Sequence, residues 1–145
     1  METFLVVGLG NPGSRYANTR HNAGTDFVHM LCEKYDVELT EKKKYKASIG
    51  KFLLKDMEVI LSIPTLFMNQ SGKSVAPTVK GENIKLKNLL VVHDDLDLPP
   101  GVSKLKFSGG DGGHNGLKDI MQSLSGKKDF KLSLIHISEP TRLTM

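Results

Sequence analysis

The sequence has a single cysteine, Cys32, and no apolar run long enough to span a bilayer. One cysteine excludes an intramolecular disulfide framework and is typical of a protein from a reducing compartment. The first residues have the pattern of a strand instead of a secretory signal, so we expect a cytoplasmic protein with no membrane partner. Internal repeats and low-complexity segments are also absent.

The composition is that of an ordinary globular domain. The hydrophobic content of 39% and the charged content of 25% are typical of such domains. A length of 145 residues is sufficient for one domain with a hydrophobic core. The net charge of +4 favours an anionic partner without defining it. Five basic residues lie between Lys42 and Lys51. Such a run fits either a solvated hairpin edge or a phosphate-binding surface.

A long polar stretch follows the first predicted strand. Residues 3–7 are short, apolar and valine-rich, as expected of a buried strand, and the stretch after them contains Asn11 and His21. The spacing of Gly8, Gly10 and Gly13 matches the glycine pattern of a dinucleotide-binding turn. Pro12 and the lack of a helical pattern after it disfavour that interpretation. A turn-rich connector without a function stays open.

Helical and strand patterns alternate along the chain. Thr25 is expected to cap the first helix, whose apolar face runs to Tyr35. A second, weak helix is expected to open at Leu66 and to be interrupted by Pro77. A glycine-rich loop and a short helix at 117–124 end the pattern, which predicts an α/β sheet. The expected strands are residues 3–7, 45–54, 57–63, 88–92 and 102–107.

Polar side chains follow the ends of these predicted strands: Asn11, His21, Asn69, Asp94 and Asn115. Because ligands of open α/β sheets bind beyond the carboxyl ends of strands, we expect these residues to share one cleft. An aspartate beside a histidine stabilises the imidazolium that forms when the histidine takes a proton. Asparagine amides can hold a peptide-like substrate and an oxyanion. Without a Gly-x-Ser-x-Gly elbow, the expected nucleophile is water activated by His21, although each residue alone also fits a simple turn.

A metal site is the alternative interpretation of the same region. Histidine and aspartate, which are metal-ligand types, occur together at His93, Asp94, Asp95 and Asp97, and His114 lies in another loop. No helical His-x-x-x-His pattern or cysteine pair accompanies them. The spacing is therefore a weak metal signature, and we expect neither a metal nor a cofactor.

Four motifs together resemble the bacterial-type peptidyl-tRNA hydrolase family. They are Gly8 to Gly13 with Thr19 to Gly24, Phe67 to Gly72, His93 to Gly101, and Gly112 to Gly116. Their order and spacing cover the chain from its start to about Phe130. The resemblance implies an enzyme that hydrolyses the ester between a peptide and the 3′ ribose of tRNA, without metal or cofactor. It also implies a single domain in which helices flank a twisted mixed sheet.

The resemblance assigns a role to each motif residue. It implies that His21 is the general base, that Asp94 stabilises its charged form, and that Asn11 contacts the peptide near the scissile bond. The implied partner is peptidyl-tRNA, mainly its acceptor end. The residues that would line the cleft or contact the substrate and the tRNA 3′ end are Tyr16, Phe67, Met68, Asn69, His114 and Asn115.

The end of the chain departs from the family pattern. The family continues past Phe130 with a strand of the type Arg-x-Gly-x-Gly and then a lid, and those glycines are missing here. We therefore expect residues 1–131 to form an incomplete family domain and residues 132–145 to be a non-family tail. Ile135 and Ile137 keep the alternation of a strand within that tail.

The unusual ending leaves the activity and the assembly of the chain open. The intact family implies a monomer, whereas apolar surface left exposed by a missing segment would favour an oligomer. A tRNA 3′-end binding module without turnover is the second candidate function. A nucleotide-binding oxidoreductase is the third.

Overall fold

The computed structural model describes residues 1–10, 23–94, 103–107, 119–120, 123–124 and 131–135. Two helices are defined there, α1 (Ala23–Tyr35) and α2 (Gly72–Gly81), with short 3-10 turns at Met68–Gln70 and Leu86–Asn88. None of the helices in these ranges is long and apolar enough to cross a bilayer. The strands are β1 (Glu2–Gly8), β2 (Thr40–Lys42), β3 (Ala47–Leu54), β4 (Met57–Pro64), β5 (Leu89–Asp94), β6 (Ser103–Phe107) and β7 (Lys131–Ile135).

In the described part of the chain, seven strands form one mixed sheet in the order β2-β3-β4-β1-β5-β7-β6. The four central strands β4, β1, β5 and β7 run parallel. The strands outside them, β2, β3 and β6, pair antiparallel with their neighbours. The near-continuous apolar runs of β1, β4 and β5 are typical of parallel strands that are covered on both faces. The prediction of a single α/β domain with a mixed sheet is confirmed.

Each face of the sheet packs against its own hydrophobic cluster. Leu5, Val7 and Val91 belong to the cluster that contains Val75 of α2. The alternate residues Val6, Leu61 and Val92 pack in the cluster that contains Val28 of α1. Because neighbouring strand residues point to opposite faces, this alternation buries the central strands between α1 and α2.

Helix α1 begins earlier than the sequence pattern predicts. It starts at Ala23, so Thr25 lies inside the first turn and the prediction of a Thr25 cap is wrong. The apolar face forms as predicted, with Phe27 and Leu31 packed against a cluster that includes the fully buried Val28.

Helix α2 also differs from its prediction. It starts at Gly72 instead of Leu66, and it continues through Pro77 without interruption. Proline removes the N–H that would bond the carbonyl of Lys73, four residues earlier. Since Lys73 is exposed, water can satisfy that carbonyl. Burial of Val75 and Thr78 then holds the helix against the sheet.

The remaining strand predictions agree with the structure. The hairpin turns at Lys55 and Asp56 between β3 and β4, and β5 and β6 form within a residue or two of their expected ranges. β7 includes residues 132–135, so a strand forms there as the alternation indicates. In the predicted helix at 117–124, Asp119 and Ile120 are helical. The interpretation of residues 132–145 as a non-family tail stays a prediction.

Candidate active site

The carboxyl ends of the parallel strands meet at one edge of the sheet, which we call the carboxyl edge. Val7, near the end of β1, is level with Ser62 of β4, and Gly8 is level with Val92 of β5. Asp94, the last residue of β5, pairs with Ile135 at the end of β7. The strand that carries Asp94 therefore ends beside the strand from which the polar 11–22 segment departs.

The loop after β4 brings an exposed aromatic ring to the carboxyl edge. Phe67 is 55% exposed, which is unusual for a phenylalanine. Asn69 follows it in the 3-10 turn Met68–Gln70 and is exposed as well. An accessible ring beside an accessible amide can offer a ligand both stacking and hydrogen bonding.

Two glycines dock the start of α1 against the ends of β1 and β5. A Cβ atom on Gly24 would come within 3.0 Å of the Val92 carbonyl oxygen and of the Leu9 backbone. A Cβ atom on Gly8 would meet the Gly24 carbonyl and Val28 at similarly short range. In addition, the Leu9 N–H donates to the Val92 carbonyl over 2.9 Å. The chain thus leaves β1 and enters α1 at the same point of the carboxyl edge.

The start of α2 is held by a carboxylate from a distant part of the chain. The Gly72 N–H donates to Asp119 Oδ2 over 2.6 Å. A carboxylate at this place satisfies an unpaired N–H and opposes the positive end of the helix dipole. A side chain on Gly72 would also collide with Ser123. This packing fixes the chain just after Asn69.

The sequence carries no signal for the role of Asp119. Its partner lies 47 positions away, so no local pattern marks the contact.

The prediction that Asn115 follows a strand ending at the carboxyl edge is wrong. β6 runs antiparallel to β7, and Phe107 pairs with Lys131 at the start of that strand. The chain therefore leaves β6 at the opposite edge of the sheet. Asp119, four residues after Asn115, is nevertheless back against the start of α2. The direction of β6 therefore gives no support to placing Asn115 at the carboxyl edge.

Most of the predicted site residues fall outside the described residues. For Met68 and Asp94 the backbone alone is described, in the 3-10 turn and at the end of β5. Phe67 and Asn69 are described in full, and both lie on the loop after β4. The predicted residues outside the described ranges are Asn11, Tyr16, His21, His114 and Asn115.

The metal interpretation rests on a similar set of positions. His93 is 4% exposed near the end of β5. Asp95, Asp97 and His114 lie outside the described residues. Within the described ranges, no group of three or more histidine, cysteine, aspartate or glutamate side chains could hold a metal ion.

Asp26 adds a titratable carboxyl near this edge. It lies in the first turn of α1, three residues after Ala23. Burial raises the pKa of the Asp26 carboxyl, and the nearby charge of His29 opposes that rise. The sequence marks Asp26 only as an acidic residue at the start of a helix, which is common.

A mixed sheet with parallel central strands and flanking helices defines an α/β protein, a class in which ligands bind beyond the carboxyl ends of the strands. The model of the peptidyl-tRNA hydrolase family matches residues 5–145, and the chain belongs to this family. Members of this family are hydrolases that act on the ester bond of peptidyl-tRNA. The predicted family and enzyme class are confirmed.

Several relatives support the assignment. Peptidyl-tRNA hydrolase of Tolumonas auensis is 51% identical over 136 residues, covering 94% of this chain and 69% of that protein. The enzyme of Pseudomonas putida is also 51% identical, over 94% of this chain and 70% of its own length. The crystal structure of peptidyl-tRNA hydrolase from Acinetobacter baumannii superposes with a TM-score of 0.88 at 44% identity. That superposition covers 95% of this chain and 69% of the other.

Proposed function

We propose that this chain hydrolyses peptidyl-tRNA at the carboxyl edge, with a water molecule activated by His21 as the nucleophile. The observation that carries the proposal is the docking of Gly24 against Leu9 and Val92. It brings both flanks of the 11–22 segment, which contains His21, to the end of the strand that finishes at Asp94. A histidine and an aspartate drawn from these two segments are suited to general-base catalysis.

The proposed reaction needs one base and one stabilising carboxylate. The His21 imidazole takes a proton from water, and the water oxygen attacks the ester carbonyl carbon. The tetrahedral intermediate then collapses, the bond to the ribose oxygen breaks, and the imidazolium returns its proton to that oxygen. Asp94 stabilises the imidazolium while it carries the proton. The products are a free peptide and a tRNA with a free 3′ hydroxyl.

The loop after β4 supports contacts with the substrate. The exposed Phe67 ring offers a surface on which a base of the tRNA 3′ end can stack. Asn69 orients the substrate, and Asn11 binds the peptide next to the scissile ester. The other cleft residues we assign are Tyr16, Met68, His114 and Asn115.

The proposed setting is the cytoplasm, with peptidyl-tRNA as the partner and a monomer as the active form. Support comes from Cys32, the single cysteine of the chain. Burial raises the pKa of the Cys32 thiol, which favours the thiol over the thiolate.

Replacing His21 tests the base assignment. We expect His21→Ala to lower turnover of N-acetyl-aminoacyl-tRNA by about 10²–10⁴-fold, since general-base catalysis typically contributes that much. Binding of deacylated tRNA should stay within a few fold, because the imidazole adds little to phosphate contacts. His29→Ala, an exposed histidine of α1, is the matched control and should keep parental turnover. Near-parental turnover of His21→Ala would assign the base to another residue.

The same turnover assay tests the supporting role of Asp94, and it also tests whether the chain is only a tRNA-binding module. In Asp94→Asn, the acidic limb of the rate–pH profile should move to lower pH with a reduced plateau, because the imidazolium loses its carboxylate. An unmoved limb would make Asp94 a turn residue. A parental chain that binds tRNA but releases no peptide would favour the 3′-end binding module.

A further inference from the structure

A lysine-rich turn lies at the carboxyl edge, on the opposite side of β4 from β1. We define the lysine turn as Lys42–Lys46; its four lysine side chains are exposed. β3 begins directly after it, with Ala47 level with Pro64, the last residue of β4. The Thr65 N–H donates to the Lys46 carbonyl over 2.9 Å, which joins the turn to the loop that carries Phe67.

The turn has a defined backbone and a buried anchor. The Tyr45 N–H donates to the Lys42 carbonyl over 3.0 Å, and the Lys46 N–H donates to the Lys43 carbonyl over 3.2 Å. Lys46 adopts a left-handed φ of 51°, which closes the turn. Tyr45 is 5% exposed, and its hydroxyl donates to Glu82 over 2.6 Å. The lysine side chains therefore project from a fixed support.

The charges of the lysine turn are available to a partner. The Glu82 carboxylate already accepts hydrogen bonds from Tyr45 and from Lys51, the latter over 3.1 Å. Within the described residues, no lysine of the turn forms an ion pair. Lys44 lies 4.9 Å from the centroid of the Tyr45 ring, an arrangement that orients its ammonium group without neutralising it.

Protection of a sheet edge is the ordinary reason for a lysine cluster, and it does not account for this one. β2 is the edge strand, and its ladder with β3 ends at the pair of Lys42 and Ala47. Lysines that prevent an edge strand from pairing with another chain lie along that strand itself. Here Lys43, Lys44 and Lys46 lie beyond the ladder, at the end that faces the candidate active site.

We propose that the lysine turn binds backbone phosphates of the substrate's tRNA acceptor arm. This inference rests on the proposed function. Strands are spaced by about 4.8 Å, so β3 lies about 14 Å from β5, which ends at Asp94. A stacked nucleic-acid strand carries one phosphate per about 3.4 Å. An acceptor strand that runs from Asp94 along the carboxyl edge toward β3 would reach the lysine turn about four nucleotides from its 3′ end.

The test neutralises the turn and measures how RNA binding depends on salt. The variant is Lys42→Gln/Lys43→Gln/Lys44→Gln, and the probe is deacylated tRNA bound over a series of NaCl concentrations. Log affinity falls with log salt, and each lost phosphate contact makes the negative slope shallower by about 0.7–0.9. For the triple variant we therefore expect a slope that is less steep by about 2–3. The single variant Lys43→Gln should make the slope less steep by about one, which keeps the test valid if the triple variant is unstable.

A matched control carries the same charge change at the opposite edge of the sheet. Lys55→Gln/Lys85→Gln/Lys87→Gln removes three exposed lysines before β4 and β5 and should change the slope by less than one. An N-acetyl-aminoacyl ester of adenosine, which has no phosphate, should be hydrolysed equally by the parent and both triple variants.

The outcomes separate the two proposals. Equal slopes for the turn variant and the control overturn the lysine-turn inference and leave the hydrolase proposal intact. A parent that hydrolyses neither acylated tRNA nor the adenosine ester overturns the proposed function, and the binding slopes then still decide whether the turn contacts RNA.

Discussion

Tyr45 lies inside the lysine-rich run, yet it is almost completely buried. Its hydroxyl joins the lysine turn to the end of α2 through Glu82. The hydrogen bond to the Glu82 carboxylate, together with burial and the carboxylate charge, raises the pKa of Tyr45 to about 12. The same bond lowers the pKa of Glu82, with Lys51 and Lys44 adding to the effect. Tyr45 therefore anchors the turn that carries the lysines.

Removing this hydroxyl should destabilise the fold. We expect Tyr45→Phe to lower the free energy of unfolding at neutral pH by about 1.5–3 kcal/mol, the typical value for a hydrogen bond to a charged group. Because the Glu82 pKa is lowered from 4.5, the contribution is present above that pH and is lost as pH falls through the folded-state pKa. Because the Tyr45 pKa is raised from 10.0, the contribution is present below that pH and is lost as pH rises through about 12.

Urea unfolding at neutral pH and at about pH 3 measures the effect. The difference between the parent and Tyr45→Phe should shrink at the lower pH. Tyr35→Phe is the control, because Tyr35 stacks on Phe52 with ring centroids 4.3 Å apart and its hydroxyl has no partner among the described residues. If the difference in free energy of unfolding between the parent and Tyr45→Phe is unchanged at about pH 3, the hydrogen bond to the Glu82 carboxylate is not its cause.

At the scale of elements, the contact between α1 and the strands β1 and β5 decides where the site can form. A Cβ atom added to Gly24 would meet backbone atoms of Leu9 and Val92. A Cβ atom added to Gly8 would meet the Gly24 carbonyl. Backbone atoms at this range cannot rotate away as a flexible side chain can. The helix must therefore move outward if either glycine acquires a side chain.

Gly24→Ala should consequently affect both stability and catalysis. We expect the free energy of unfolding to fall by about 1–3 kcal/mol, as for other overpacked sites. Turnover should fall as well, because the displaced helix carries the flank of the segment that contains His21. Chemical denaturation and the acylated-tRNA assay measure the two effects. Glu33→Ala, an exposed position of the same helix, should stay within about 0.5 kcal/mol of the parent. A Gly24→Ala variant with parental stability would contradict the close packing of α1.

At the scale of the whole molecule, β7 holds the sheet together on one side. It pairs with β5 through the register Leu90 to Lys131 and with β6 through Ser103 to Ile135. Without it, β5 would expose an unpaired edge directly beside Asp94, and β6 would lose its partner. The free energy of unfolding of a domain is only about 5–15 kcal/mol, so the loss of two strand interfaces can remove most of it.

Deleting residues 131–145 should therefore abolish cooperative thermal unfolding or cause aggregation. Deletion of 136–145 alone, which leaves β7 in place, is the comparison and should retain a cooperative transition. Circular dichroism melting and size-exclusion chromatography measure these outcomes. A chain cut after Phe130 that melts like the parent would instead support the view that residues 132–145 lie outside the domain.

Much of the fold follows from local sequence patterns, and the same patterns mark the residues of the candidate site. The valine-rich runs of β1 and β5, and the paired runs around Lys55, predict their strands because apolar periodicity and turn residues act within a short window. The four motifs likewise identify the family from their residues alone. His21, Asp94 and Asn69 follow three of these strands, and β1, β4 and β5 run parallel, so the three strands end at the same edge of the sheet.

Only the tertiary structure decided how distant segments meet. β4 lies parallel to β1 with Met57 beside Glu2, β6 runs against β7, and Asp119 binds the N–H of Gly72. None of these pairings has a local signature, since the partners lie tens of residues apart and each strand offers the same hydrogen-bonding groups to either direction. The start of α1 and the passage of α2 through Pro77 were likewise set by packing, because burial against the sheet outweighs the local preferences that the sequence pattern reports.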